Sequence, residues 1–248
     1  MRVVEFLGVP GAGKSTIADA LSEAVPGAVA LGDAVRDSIR RGGDDPVTRI
    51  AARLTRSPNS RLWSAAYARS TDRLSALIRF ASARPDFLEG VLVAQRERSE
   101  RDIRPDLVLG WIVNLMARYQ LATEHGGVAW LVVDEGFAQR AVALLAAGRD
   151  QSDEPALKAY LDASPQPDVL VVVESSLEVC AARLDRRGWS ERLIGADKTA
   201  RQAFLEECAQ LVSLIRTRSA EGDLEVISVS GEEPVTNSVS RIAATLAV

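Results

Sequence analysis

The chain has 248 residues, 30 basic and 34 acidic, for a formal net charge of −4, and 47% of it is hydrophobic. That suffices for one large α/β domain with a substantial core, and the acidic balance argues against a broad nucleic-acid surface. No run of about eighteen apolar residues is present, the two cysteines have no metal-ligand spacing, and the single histidine, His125, excludes a histidine-built metal centre.

In chain order, an apolar strand from Arg2 to Leu7 leads into Gly8-Val9-Pro10-Gly11-Ala12-Gly13-Lys14-Ser15-Thr16. Glu5 interrupts the apolar run, so a signal peptide is not expected here. The spacing G-x-x-x-x-G-K-[ST], filled by Gly8, Gly13, Lys14 and Ser15, predicts a phosphate-binding loop between strand and helix. Glycines allow successive N–H groups to face one anion, and the first turn of the following helix adds its unpaired amides. Lys14 can then reach phosphate oxygens, and the Ser15 hydroxyl can ligate Mg²⁺. Lysine is scarce, only Lys14, Lys158 and Lys198 among thirty basic residues, yet it stands where a compact point charge is wanted.

A helix is predicted over Lys14–Ala24, a short strand over Ala28–Leu31 ending at Gly32-Asp33, and a helix over Asp33–Arg41. From Asp44 to Gly127 the pattern is helical, with helices near Val47–Arg56, Arg61–Ala83, Phe87–Arg98 and Asp106–Glu124. This stretch is too long for a simple crossover and is expected to form a helical insertion over the sheet edge. Trp63 and Tyr67, and Trp111, Leu115 and Tyr119, recur at helical spacing, as core or as a ligand platform. Arg69 and Arg73 follow on the first of these helices, facing an anionic acceptor or water.

Val128–Val133 reads as a strand buried on both faces, ending at Asp134-Glu135, with a helix to about Ala147. One short helix is expected between Asp150 and Gln166. Next come a strand over Asp168–Val173, a capping box Ser175-x-x-Glu178, and a helix ending at Arg186-Arg187-Gly188. An arginine-bearing loop, a helix over Lys198–Arg218, a strand over Leu224–Ser228 and a helix over Val235–Ala247 complete the chain. Strands alternating with helices predict a three-layer α/β/α fold with a five-stranded parallel sheet, ordered 2-3-1-4-5.

Four stretches carry a family resemblance. They are Gly8–Ser15; Gly32-Asp33-Ala34-Val35-Arg36; Val133-Asp134-Glu135-Gly136-Phe137 with Arg140; and Pro167–Val173 continuing through Arg183-Leu184-Asp185-Arg186-Arg187-Gly188. In this order they resemble the nucleoside monophosphate kinases among the phosphate-loop kinases, including adenylate and thymidylate kinases. The second resembles their G-D-x-x-R and the third their D-G-F-P-R, with Glu135 inserted, Ala138 in place of proline and Arg140 two residues late. The resemblance implies a cytoplasmic, ATP- and Mg²⁺-dependent kinase for a small-molecule acceptor, and a homodimer is compatible with it. It implies a donor site from Gly8, Pro10, Gly11, Ala12, Gly13, Lys14, Ser15 and Thr16, with Ser15 and Asp134 at the metal. Asp33, Arg36 and Arg140 would face the acceptor, and a lid spanning about 187–198 would close Arg183, Arg187 and Arg192 over the phosphates, with Arg201 beside them.

Asp134 could hold Mg²⁺ through water or take the acceptor's proton, and Glu135 could take the second role. The bland alternative makes the pair a helix N-cap and a first-turn acid. A nucleotide, nucleoside, sugar or antibiotic acceptor fits equally well. An apolar strand ending in Asp-Glu also suits an ATPase switch or assembly factor in which Glu135 activates water. A GTPase would need an N-K-x-D element, which is absent, and a binding module without catalysis sits poorly with intact Lys14, Ser15 and Asp134.

Overall fold

The computed structural model describes residues 1–55, 57–98, 105–124, 128–146, 154–190, 193 and 195–247; His125 and Arg192 lie outside them. Five strands run in parallel in the order β2-β3-β1-β4-β5: β1 Arg2–Leu7, β2 Ala28–Ala30, β3 Trp130–Val133, β4 Val169–Glu174 and β5 Glu225–Ser230. Central β1 aligns Val4 with Val132 of β3 and Phe6 with Val171 of β4. β3 is wholly buried, as a strand covered on both faces must be.

The described helices are α1 Lys14–Ala24, α2 Leu31–Gly42, α3 Pro46–Leu54, α4 Arg61–Ala68, α5 Thr71–Ala83, α6 Pro85–Arg98 and α7 Pro105–Glu124, then α8 Phe137–Leu145, α9 Glu154–Ala163, α10 Leu177–Arg187, α11 Lys198–Ala220 and α12 Val235–Leu246. The crossover from β1 to β2 leaves in one direction along the sheet, and those into β3, β4 and β5 run in the other. Right-handed connections therefore put α1 on one face and α7, α8 and α11 on the opposite one. α12 packs against α1, and α8 packs against both α7 and α11. Chain direction switches between β1 and β3, so a crevice opens beyond their carboxyl ends, where the phosphate loop and Asp134 emerge.

One continuous core joins the helices of the long β2–β3 connection to the sheet. Its centre is aromatic: Phe80 of α5 stacks on Phe137 of α8 at 5.7 Å, and Phe87 of α6 meets Phe137 edge-on at 5.3 Å and Tyr160 of α9 at 5.2 Å.

Several local expectations are corrected. The helix expected over Arg61–Ala83 is two helices, because Ser70 caps α5 by accepting from the Asp72 amide at 3.2 Å. Asp45, the cap of α3, also accepts from the Thr71 amide, and Asp72 accepts from the Asp44 amide at 2.8 Å, fastening the starts of α3 and α5 together. α2 begins at Leu31, directly after β2, with no turn at Gly32-Asp33. The Ser175–Glu178 box is not formed: Ser176 is the N-cap of α10 without a side-chain cap bond, and the Ser175 hydroxyl donates to the Ala12 carbonyl at 3.0 Å. β3 starts at Trp130 rather than Val128, and β5 runs on to Ser230.

Candidate active site

The loop from Gly8 to Gly13 curls over the start of α1, with Gly11 at φ 90° and Gly13, the N-cap of α1, at φ 107°. Side chains lose favour at both angles, so the motif's glycines are the residues this path admits. Amides can face an anion only if the matching carbonyls are satisfied elsewhere. Arg183 of α10 supplies that, donating to the carbonyls of Gly11 and Ala12 at 3.1 Å and of Gly231 at 2.7 Å. Arg183 thus ties the loop to the segment beyond β5 while bordering the cleft at the loop.

Lys14 is buried and donates to the carbonyls of Gly8 at 2.8 Å and Val9 at 3.2 Å. Burial pulls its ammonium down from 10.5 to about 8, against the attraction of Glu135 and Asp134. The Ser15 hydroxyl donates to Asp134 Oδ2 at 3.0 Å, joining the carboxyl end of β3 to the first turn of α1. A hydroxyl and a carboxylate side by side are hard oxygen ligands of the kind Mg²⁺ takes when phosphate and water complete its shell. Among the described residues no three His, Cys, Asp or Glu side chains come together, so a cage made by the protein alone is not formed there.

Asp134 and Glu135 do not cap α8. Its N-cap is Gly136, and the carboxylate on its amides belongs to Glu5, in the middle of β1. Glu5 accepts from the amides of Ala138 at 2.6 Å and Gln139 at 3.2 Å. Burial raises the Glu5 carboxyl from 4.5 to about 7, opposed by those amide bonds and by Arg140. Gln139 in turn accepts from the Gly8 amide at 3.0 Å. Glu5 and Gln139 therefore connect β1, α8 and the loop, a role the sequence marked only by a charge inside an apolar run.

Two clefts meet at the loop. The first, about 410 Å³, is bounded by Lys14, Ser15, Thr16, Arg183 and Arg187 and by Gly231–Glu233 beyond β5. The second, about 370 Å³, is lined by Trp111, Arg140, Trp189 and Phe204. Pro10, Glu135, Gln139 and Arg187 border both. Arg140 donates to Glu135 Oε2 at 2.7 Å and lies 5.5 Å from the centre of the Trp111 ring. Trp189 donates to Asp185 at 2.7 Å, with the Arg201 guanidinium 5.1 Å from its ring centre, so the chain leaving α10 is pinned as it turns.

Asp33 and Arg36 pair with each other at 3.0 Å, and Arg36 also donates to the Thr55 carbonyl at 3.4 Å. A separate cleft beside them is lined by Trp63, Tyr67 and Arg73, and also by Asn114 and Arg118, which the sequence did not single out. Trp63 and Tyr67 stack at 5.5 Å and are largely buried, each offering an edge to that cleft. Tyr119 belongs to the aromatic core instead.

No protein-family model matches the chain, and no curated protein is similar to it in sequence. Solved structures of a deoxyadenosine kinase from M. mycoides share its fold. The form with dATP bound is 15% identical with a TM-score of 0.53, covering 99% of this chain and 100% of that one. The dCTP-bound form is 16% identical at 0.51, and the form with dCMP and a flexible dCDP is 14% identical at 0.52, each covering 99% of this chain and 98% of the other. The five-stranded sheet in its 2-3-1-4-5 order, with the helices that cover it, is the fold this chain shares with those structures.

Proposed function

We propose that the chain is a cytoplasmic, ATP- and Mg²⁺-dependent kinase that transfers the γ-phosphoryl group to a small-molecule acceptor. The observation that carries this reading is the bond between the Ser15 hydroxyl and Asp134 beside the buried Lys14, at the switch point of the sheet. A bound Mg²⁺ would supply positive charge against the donor phosphates. Ser15 and Asp134 would hold the ion, while the loop amides and the start of α1 hold the phosphates. Lys14 is buried and, among the described residues, bonded to two backbone carbonyls that phosphate oxygens would replace.

Glu135 borders both clefts at the loop, with one oxygen held by Arg140. It is the carboxylate placed to take a proton from an acceptor hydroxyl, with Arg140 fixing its orientation. Arg187 borders the same two clefts and would add positive charge where the phosphoryl group moves. No helix of the described residues is long and apolar enough to cross a membrane.

Purified protein with MgATP should be tested alone and against nucleosides, nucleotides, sugars and aminoglycosides, following ADP and inorganic phosphate together. ADP formed only with an acceptor, and without free phosphate, is the expected result. Equal ADP and phosphate without any acceptor would overturn it in favour of an ATPase with Glu135 activating water.

A further inference from the structure

The cleft between α2, α4, α5 and α7 encloses about 330 Å³ and shares no lining residue with the two clefts at the loop. Arg73, Arg118, Asn59 and Asn114 line it together with Trp63 and Tyr67, and no Asp or Glu does among the described residues. Arg118 has no hydrogen-bond or ion-pair partner among the described residues, and Arg73 makes one 3.3 Å bond, to the Ala68 carbonyl. Tyr67 is only 8% exposed, and its hydroxyl is buried without a partner. Tyr67, Arg73 and Arg118 thus line one cleft, and both guanidiniums act electrostatically on that hydroxyl. Two cations and a buried hydroxyl gathered without a carboxylate among the described residues are complementary to an anion.

The same wall of α7 relates this cleft to the chemistry. Trp111, Asn114 and Arg118 are spaced three and four apart and share one helix face. Trp111 lies under Arg140, which bonds Glu135. Seven residues of helix rise by about 10 Å between Trp111 and Arg118. A molecule lying along this face would have one end towards Glu135 and the other at the Arg73 and Arg118 guanidiniums.

Building on the kinase reading, we propose that the acceptor is an anion-bearing alcohol, its phosphate or carboxylate bound by Arg73, Arg118 and the Tyr67 hydroxyl and its reacting hydroxyl at Glu135. In the transfer the acceptor oxygen bonds to the γ-phosphorus as the bond from that phosphorus to the β,γ-bridging oxygen breaks. ADP leaves with the electron pair, and the hydroxyl proton passes to Glu135. The anion is thus a handle remote from the reacting group and does not itself receive the phosphoryl group. Cationic acceptors such as aminoglycosides are repelled, and neutral nucleosides leave the arginines and Tyr67 unsatisfied.

The test uses the whole protein with its loop filled by MgADP, so that the phosphate loop does not compete for anions. Phenyl phosphate, benzoate, phenol and benzylamine are titrated, following tryptophan fluorescence and melting temperature. Phenyl phosphate or benzoate is expected to bind, and which of them binds more tightly tells a phosphate from a carboxylate handle. Phenol and benzylamine should bind at least about tenfold more weakly, and Arg118→Gln and Tyr67→Phe should weaken anion binding by a similar factor. Failure of both anions, equal binding of benzylamine, or unchanged affinity in Arg118→Gln with its fold intact would overturn the proposal. The two readings fail separately. Anion binding lost in Arg118→Gln, without transfer to any acceptor, would uphold the site and overturn the kinase reading alone. Efficient phosphorylation of neutral nucleosides, unchanged in Arg118→Gln, would do the reverse.

Discussion

Lys14 carries its charge into a buried position at the start of α1. Its ammonium is buried against two carbonyls and falls from 10.5 to about 8. The folded chain therefore binds this proton less readily than the unfolded chain. The penalty is fully present below pH 8 and disappears as pH rises from 8 to 10.5. Lys14→Met should accordingly abolish phosphoryl transfer while stabilising the nucleotide-free protein at pH 7 by about 1–3 kcal/mol, a margin that shrinks towards pH 10. Denaturant titrations at both pH values check it, and a variant less stable than wild type would contradict it. Asp134→Asn keeps an oxygen for the Ser15 hydroxyl but removes the charge. It should lower kcat by about 100-fold or more while changing ATP binding far less. Steady-state kinetics beside nucleotide titration separate the two effects, and an unchanged kcat would leave Asp134 a purely structural partner of Ser15.

At the scale of elements, α8 depends on a carboxylate from a strand more than 130 residues earlier. Gly136 stands where a Cβ would run into the Glu5 carboxyl, so the two residues fit only as a pair. Glu5 rises from 4.5 in its ordinary state to about 7 when folded, so the native state holds its proton more tightly. Stability should fall as pH climbs through that window and level off above it. Glu5→Gln retains an oxygen for the amides of Ala138 and Gln139 and should flatten the slope of melting temperature between pH 5 and 8; an unaltered slope would remove Glu5 as its source. This cap was not legible in the sequence, because capping is read from local spacing and its donor and acceptors lie on different elements. The apolar runs of β1, β3 and β4 and the glycine spacing of the loop were legible, since each is a short local pattern. The break at Ser70 was missed although its cap is local, and the bonds from Thr71 to Asp45 and from Asp44 to Asp72 that reinforce it cross between α3 and α5. Arg36 suited an acceptor contact by motif and pairs with Asp33 one turn away, whereas Arg118 on α7, without an ion-pair partner among the described residues, belongs to no motif.

Across the whole molecule, the sheet brings three distant segments to one place. The loop follows β1, Asp134 and Glu135 follow β3, and the Gly231 carbonyl beyond β5 is tied to the loop through Arg183. Strand order alone predicted that convergence, because carboxyl ends beside a switch point face a common crevice. The long β2–β3 connection adds what strand order cannot specify. Its helices share the aromatic core with α8 and set Trp111 and Arg118 along one wall. The proposed donor and acceptor regions are thus joined through α7 and α8, and in the proposed reaction the γ-phosphoryl group crosses between them. Phosphorus NMR of MgATP with the protein and an anion-bearing alcohol tests this most directly. The account predicts that the γ-phosphorus signal is replaced by a phosphomonoester signal of the acceptor in step with ADP. Its appearance as inorganic phosphate at the same rate with and without the acceptor would contradict it.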